Sequence, residues 1–305
     1  MEALLQAVLS GLAIGGIYAL VALGFNITYN TTKTLNFGQG EFLVAGAFIA
    51  VATVLLLSGK GYRGVLQPED VTVFRYLVGF VAAVVVLGAL GVLLYYTAVR
   101  PFVGAVGLAW VMSTIGFGII VQATALGVWG PAPLAMPSPL GNDVIRFGGA
   151  GILPQEILIF VVAVVVMVAL DFTLRRTKIG KAVRAVAHNK GAAALMGINV
   201  PMIVILAFVV SSCLAGLGGL LVAPITTASV FMGLVLALKA FSAAIIGGLD
   251  NPRGCILGGF LLGLIESLIG LWHAELREIS IFVLIIVVLV FKPEGLLGRR
   301  IVEKV

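Results

Sequence analysis

Residues 175–201 read Arg-Arg-Thr-Lys-Ile-Gly-Lys-Ala-Val-Arg-Ala-Val-Ala-His-Asn-Lys-Gly-Ala-Ala-Ala-Leu-Met-Gly-Ile-Asn-Val-Pro, a basic segment between two long apolar runs. Arg175, Arg176, Lys178, Lys181, Arg184 and Lys190 fall within it, and no Asp or Glu occurs between Asp171 and Asp250 to offset them. Between membrane spans, a short loop of this charge belongs on the cytoplasmic side. At helical period Lys181, Arg184 and His188 share one face and Val183, Val186 and Ala187 another, which predicts a short amphipathic helix. Gly191 is expected to interrupt it, Ala192 to Met196 to add a further turn or two, and Gly197 with Pro201 to end the unit. One reading is a charged anchor that fixes topology and attracts anionic lipid head groups. The other is a helix pair whose exposed Leu195-Met196 meets a partner.

Outward from this bridge the chain is apolar: 61% of its 305 residues are hydrophobic and 10% charged, with repeated runs near the ~20 residues that cross a bilayer. Backbone groups in lipid must find partners within their own segment, so the fold class is all-α, a polytopic integral membrane protein. Nine apolar segments are expected, at about 4–27, up to Leu57, 74–98, 105–128, 157–174, 202–222, 230–249, 258–271 and 279–291. Eight or nine of them span, because 230–249, with Lys239 in its middle and a break at Gly247-Gly248, is either a crossing or a re-entrant helix lining a cavity. Nine crossings put the N-terminus outside, and the bridge and the basic tail Lys292, Arg299, Arg300 and Lys304 inside, as their charges demand. No Lys or Arg precedes Lys33, so the first run reads as a retained span and not a signal peptide.

The whole of 1–305 reads as one transmembrane domain with a long external loop at 130–156, rich in Pro and Gly. That loop is either a plain connector or carries a small hairpin over Val144–Ile152. The net charge of +6 sits in loops and tail, which topology explains and nucleic-acid binding does not. Cys213 and Cys255 lie in or beside apolar segments and read as small core residues, with no disulfide or metal site. The fourth run carries Ser113, Thr114, Gln122 and Thr124, which suit hydrogen bonds to neighbouring helices.

A second informative stretch is Leu35-Asn36-Phe37-Gly38-Gln39-Gly40-Glu41-Phe42, polar residues and two glycines between apolar runs. Glu41 stands at the start of the next helix, where the dipole favours an anion, so it is either a helix cap or a pathway residue together with Asn36 and Gln39. Lys239 and Glu266 are further charges inside apolar segments, which marks them as functional candidates. Counted from the break between them, their axial positions differ by roughly 9 Å at helical rise, a gap that lysine's length and a broken helix can close. Neither Gly59-Lys60 nor Gly180-Lys181 completes a phosphate-binding loop, and no Gly-x-Ser-x-Gly occurs, so neither ATP hydrolysis nor serine hydrolase chemistry is expected of this chain.

Thr177-x-x-Gly180-x-x-x-Arg184-Ala185 followed by Ala194-Leu195-Met196-Gly197-Ile198-Asn199 resembles the cytoplasmic loop of LivH-type branched-chain amino acid ABC permeases. Leu35 to Phe42 is similar to the Leu-Asn-Phe-x-x-Gly-Glu motif of that family, and Leu238 to Leu249 with Gly258, Gly259 and Glu266 extends the likeness over nearly the whole chain. Where the family carries an acidic or amide residue after the Arg-Ala pair, this chain has His188-Asn189. The resemblance implies an ABC importer permease fold for neutral, above all branched-chain, amino acids, with urea or short amides as open alternatives. It makes Lys181, Arg184, His188, Asn189, Lys190, Leu195, Met196 and Gly197 ATPase-coupling residues, and Asn36, Gln39, Glu41, Lys239 and Glu266 pathway candidates beside a broken helix. It also implies ATP-binding subunits that hold ATP and Mg, a second homologous permease subunit, an external solute-binding protein and a bacterial-type inner membrane, with no cofactor in this chain. A stand-alone carrier coupling solute to protons through Glu41, Lys239 or Glu266 is the rival reading, and a membrane scaffold the third.

Overall fold

The structure is a computed structural model and describes residues 2–102, 108–147 and 149–298. Eleven helices run along the described chain: α1 (Glu2–Thr32), α2 (Gln39–Leu57), α3 (Val73–Leu94), α4 (Ala109–Trp129), α5 (Pro154–Arg176), α6 (Lys178–His188), α7 (Lys190–Leu195), α8 (Val200–Thr226), α9 (Met232–Gly247), α10 (Pro252–Gly270) and α11 (Leu276–Phe291). Seven of them are long and apolar enough to cross a membrane. α9 and α11, of 16 residues each, measure only about 24 Å at helical rise. The expected start of the fourth span at Ala105 lies outside the described residues, as do Gly148, Arg299, Arg300 and Lys304.

The 130–156 loop does carry a hairpin, β1 (Ile145–Phe147) against β2 (Ala150–Ile152), antiparallel with Ile145 opposite Ile152. Gly149 of its turn lies against the Glu2 carboxylate, so α1 starts at the hairpin end of the bundle. At the other end Lys190 Nζ donates to Thr32 O at 3.1 Å, so α1 finishes beside the bridge. The nine apolar helices run alternately toward one end and the other. Arg63 of the 58–72 connection donates to Val128 O near the end of α4 at 3.1 Å, Leu134 pairs with Ala228, and Gln155 Nε2 donates to Leu221 O, all at the hairpin end. In the 58–72 connection, a hydrogen bond from Lys60 holds the Asp70 carboxyl below the usual carboxylate range. Asn26 and Asn30 donate to Leu249 O and Asp250 O, and Arg253 pairs with Asp171 at 3.1 Å, at the bridge end.

Two four-helix sets, α1–α4 and α8–α11, repeat the same packing with opposite sense. α1 packs on α10 through Gly11 against Gly263 and Gly15 against Gly259, and its counterpart α8 packs on α3 through Val209 and Ser212 against Gly91. Such small-residue contacts let backbones approach where lipid supplies no hydrophobic drive. α1 meets α9 through Phe25 and Phe241, 5.5 Å apart, as α8 meets α2 through Gly216 and Gly46. At the centre the two sets touch themselves: a Cβ on Gly40 would lie 2.5 Å from Gly233 O, and a Cβ on Gly233 2.6 Å from Gly40 O.

The same symmetry shows in how the chain turns. α1 and α8 are each followed by a residue in the left-handed region, Lys33 at φ 62° and Thr227 at φ 66°, and no other non-glycine residue among those described has positive φ. After each, an irregular segment folds back along the helix just completed before the next helix begins. Gln39 at the start of α2 accordingly reaches Gly24, eight residues or about 12 Å back along α1, and Ser211 in the middle of α8. Segment 230–249, left open between crossing and re-entry, enters at the hairpin end beside Leu134 and leaves at the bridge end beside Asn26 and Asn30, with its first part non-helical.

The outer faces of α3 and α5 expose Phe74, Val81 and Val85, and Val161, Val165 and Val168, as a lipid-facing surface requires. α1, α2 and α8 hold most of the fully buried side chains, among them Phe42, Phe48, Phe208, Leu20 and Leu220.

Candidate functional site

The bridge is two capped helices set at an angle. Thr177 Oγ1 accepts from Gly180 N to start α6, and Asn189 Oδ1 accepts from Ala192 N to start α7. The interruption expected at Gly191 is therefore at Asn189: its extended backbone, φ −156°, breaks the helix, its side chain caps the next, and Gly191 sits within α7. Gly197, at φ 81°, closes α7 with Gly197 N–H bonding Ala194 O and Ile198 N–H bonding Ala193 O, a turn that suits glycine. Val186, Ala193 and Ile203 form a small core of their own under this unit.

Leu195 and Met196 stand free at its tip, 91% and 82% exposed. A hollow between α6 and α7 is lined by Ala185, His188, Asn189, Ala192 and Met196. Lys181 and His188 are exposed on the charged face of α6. Two of the cations grouped with them on sequence grounds, also exposed, bond to helix ends: the Arg184 guanidinium donates to Leu174 O at the end of α5, and Lys190 donates to Thr32 O. Both cap the last turn of a long helix, where a cation is favoured by the exposed carbonyls.

The five intramembrane polar candidates divide into three groups. Asn36 and Gln39 are fully buried and satisfied: Asn36 Oδ1 accepts from Gly38 N at 3.1 Å, Asn36 Nδ2 donates to Gln39 Oε1, Gln39 Nε2 donates to Ser211 O, and Ser211 Oγ donates to Gln39 Oε1 at 2.9 Å. They pin the fold-back segment to α8. Thr114, from the polar fourth run, joins them by accepting from Phe37 N, and Gln122 bonds Val230 O, whereas Thr124 bonds only its own helix.

Lys239 and Glu266 do meet, Nζ to Oε1 at 2.9 Å, with the Glu266 side chain 3% exposed. The axial gap is closed because α10 starts at Pro252, directly after a tight turn, and because lysine's length covers the remainder. Two partners were not visible in the pattern. Tyr18 donates its hydroxyl to Glu266 Oε2 at 2.6 Å from inside the apolar run of α1, and Arg277 from the first turn of α11 brings Nε within 3.1 Å of Oε1, though without hydrogen-bond alignment. A tyrosine among the glycines and alanines of α1 was the one available signal. Glu278 lies at 4.0 Å from Lys239 and is mostly exposed.

Glu41 stands apart from both groups: its Oε2 is buried and has no hydrogen-bond partner among the described residues. No group of His, Cys, Asp and Glu among the described residues has the arrangement of a metal site.

Comparison with known proteins agrees with this architecture. The family described as "Branched-chain amino acid transport system / permease component" matches residues 7–290. The chain is 34% identical to the high-affinity branched-chain amino acid transport system permease protein BraD of Pseudomonas aeruginosa, over 99% of this chain and 98% of that one. It is 31% identical to the permease protein LivH of the corresponding Escherichia coli K12 system, covering 99% and 97%. It is 29% identical to a probable branched-chain amino acid transport permease protein LivH of Methanocaldococcus jannaschii, covering 96% and 92%. With a match over nearly its whole length and a bundle of apolar helices to carry it, this chain belongs to the family of permease components of branched-chain amino acid transport systems.

Proposed function

We propose that this chain is the membrane-spanning subunit of an ATP-driven importer that carries branched-chain amino acids across a bacterial-type inner membrane by alternating access. The observation that carries the reading is the bridge: a rigidly capped helix pair that presents Leu195 and Met196 to solvent at one end of a permease-family bundle. Apolar side chains so exposed, on a unit with its own small core, suit insertion into a groove of another protein better than a purely electrostatic anchor. ATP-binding subunits supply the hydrolysis and its Mg, a second homologous permease completes the membrane unit, and an external solute-binding protein delivers the solute. The bridge end is then cytoplasmic and the hairpin end external.

The test is transport by proteoliposomes that hold this chain with its ATP-binding subunits, second permease and binding protein. ATP-dependent accumulation of leucine, isoleucine or valine is the expected result. Accumulation of urea or acetamide in their place would move the substrate class, and uptake driven by a proton gradient without the ATP-binding subunits would overturn the reading.

A further inference from the structure

Glu41 presents an electrostatic problem that this chain alone does not solve. It lies in the first turn of α2, where Gln39 contacts Gly24 of α1, about 12 Å from the bridge end of that helix, and Ser211 in the middle of α8, so its carboxylate sits between the two ends of the bundle. In that place a carboxylate ordinarily bonds back to the N-cap N–H, three residues earlier. Here that N–H belongs to Gly38 and is already held by Asn36 Oδ1 at 3.1 Å, and α2 has no side-chain cap. The structural use that the sequence allows for Glu41 is therefore pre-empted.

No Lys, Arg or His among the described residues forms an ion pair with it, whereas Glu266 gathers two cations and a tyrosine. Its Oε2 is buried without a hydrogen bond. The backbone of Gly118 of α4 packs directly on its side chain, where a Cβ would stand 3.2 Å from Glu41 Cγ. Phe117, stacked on Phe42 at 6.1 Å, and the partly exposed Phe37 supply apolar surface nearby. A carboxylate placed so deep, without a counter-charge, cannot face lipid cheaply, and such residues mark water-filled or solute-lined paths.

From this geometry we infer that Glu41 is the cation-binding residue of the translocation path and takes the α-ammonium group of the solute, Phe37 and Phe117 flanking its aliphatic side chain. A zwitterionic amino acid brings both charge and N–H donors to the oxygen that lacks them, while a neutral solute such as urea leaves the charge uncompensated. This inference rests on the transport reading above and assigns the residue that recognises the ammonium.

The experiment measures leucine carried per ATP hydrolysed by the complete reconstituted complex, as wild type, Glu41→Gln and Glu41→Asp. Leucine transport by the wild-type complex tests the general reading by itself. The expected result is at least a tenfold fall in leucine per ATP for Glu41→Gln, with Glu41→Asp retaining most of it. An unchanged ratio in Glu41→Gln overturns the inference and leaves the general reading intact. If neither variant assembles, the wild-type complex is labelled with dicyclohexylcarbodiimide, which reacts with carboxyls in apolar surroundings. Protection of Glu41 by leucine but not by 4-methylpentanoate, which lacks the ammonium, supports the assignment, and labelling unaffected by leucine refutes it.

Discussion

Glu266 is shared among more partners than its sequence neighbourhood suggests, and this decides how its substitutions behave. Removing one member of a buried pair ordinarily costs about 3–5 kcal/mol, because it strands the other charge. In Lys239→Met the carboxylate still has Arg277 near Oε1 and the Tyr18 hydroxyl on Oε2, so the loss should be only about 1 kcal/mol. Lys239→Met combined with Arg277→Met removes both cations and should restore the full penalty of about 3–5 kcal/mol. Adding Glu266→Gln to that double variant should recover part of it. The order of thermal aggregation midpoints in detergent checks this, and equal midpoints for the single and double variants would show that Arg277 does not contribute. That Lys239 and Glu266 form a pair was legible from opposite charges in adjacent apolar runs. Tyr18 and Arg277 were not, because they come from helices 248 residues away and across the following turn, and apolar periodicity does not say which faces meet.

At the scale of elements, the bridge was largely legible because charge, helical period and stop signals coincide over one short segment. Its break was misplaced by two residues, since glycine is the usual breaker but an asparagine that caps the next helix ends the previous one just as well. The bonds of Arg184 and Lys190 to helix-end carbonyls were hidden for another reason: helical spacing fixes a face, not whether a long side chain curls back to a carbonyl. Leu195 and Met196, whose side chains make no such bond and stand exposed, are thus the sharper place to test the proposed contact. Replacing both with Asp should leave the helix pair folded, since neither belongs to the small core of Val186, Ala193 and Ile203. It should weaken the complex with the ATP-binding subunits by about 3–5 kcal/mol, two decades or more in affinity, through burial of unpaired carboxylates. Titration of the purified subunits by light scattering measures this, and an unaltered affinity would assign the pair to lipid or solvent.

For the whole molecule, nine apolar segments and their alternation follow from hydropathy and charge, but the opposed repeat does not, because each half was read only as a series of spans. Its clearest local sign, the left-handed Lys33 and Thr227, is carried by residue types that give no warning of positive φ. The 130–156 loop shows the same divide. Its first part is tied to the bundle by buried Met136 and by Ser138 bonded to Gln155, whereas the hairpin, held to α1 at Gly149, exposes Val144 and Ile145. Replacing 142–151 with a short Gly-Ser linker, leaving Met136 and Ser138 in place, should abolish most of the ATPase stimulation by loaded binding protein while the complex with the ATP-binding subunits still forms. Stimulation at the wild-type level would restrict this loop to packing.

The C-terminal strap sets an order of events during synthesis. Leu296 and Leu297 donate their N–H groups to Ile246 O and Gly247 O, Asn251 Nδ2 donates to Leu297 O, and the backbones of Gly295 and Gly298 lie against Gly248. The turn between α9 and α10 is thus closed by residues that leave the ribosome after every helix described. All the described helices are therefore made before this corner is complete, and a message cut short just before codon 294 would give a chain with all of them and one turn left open to proteases.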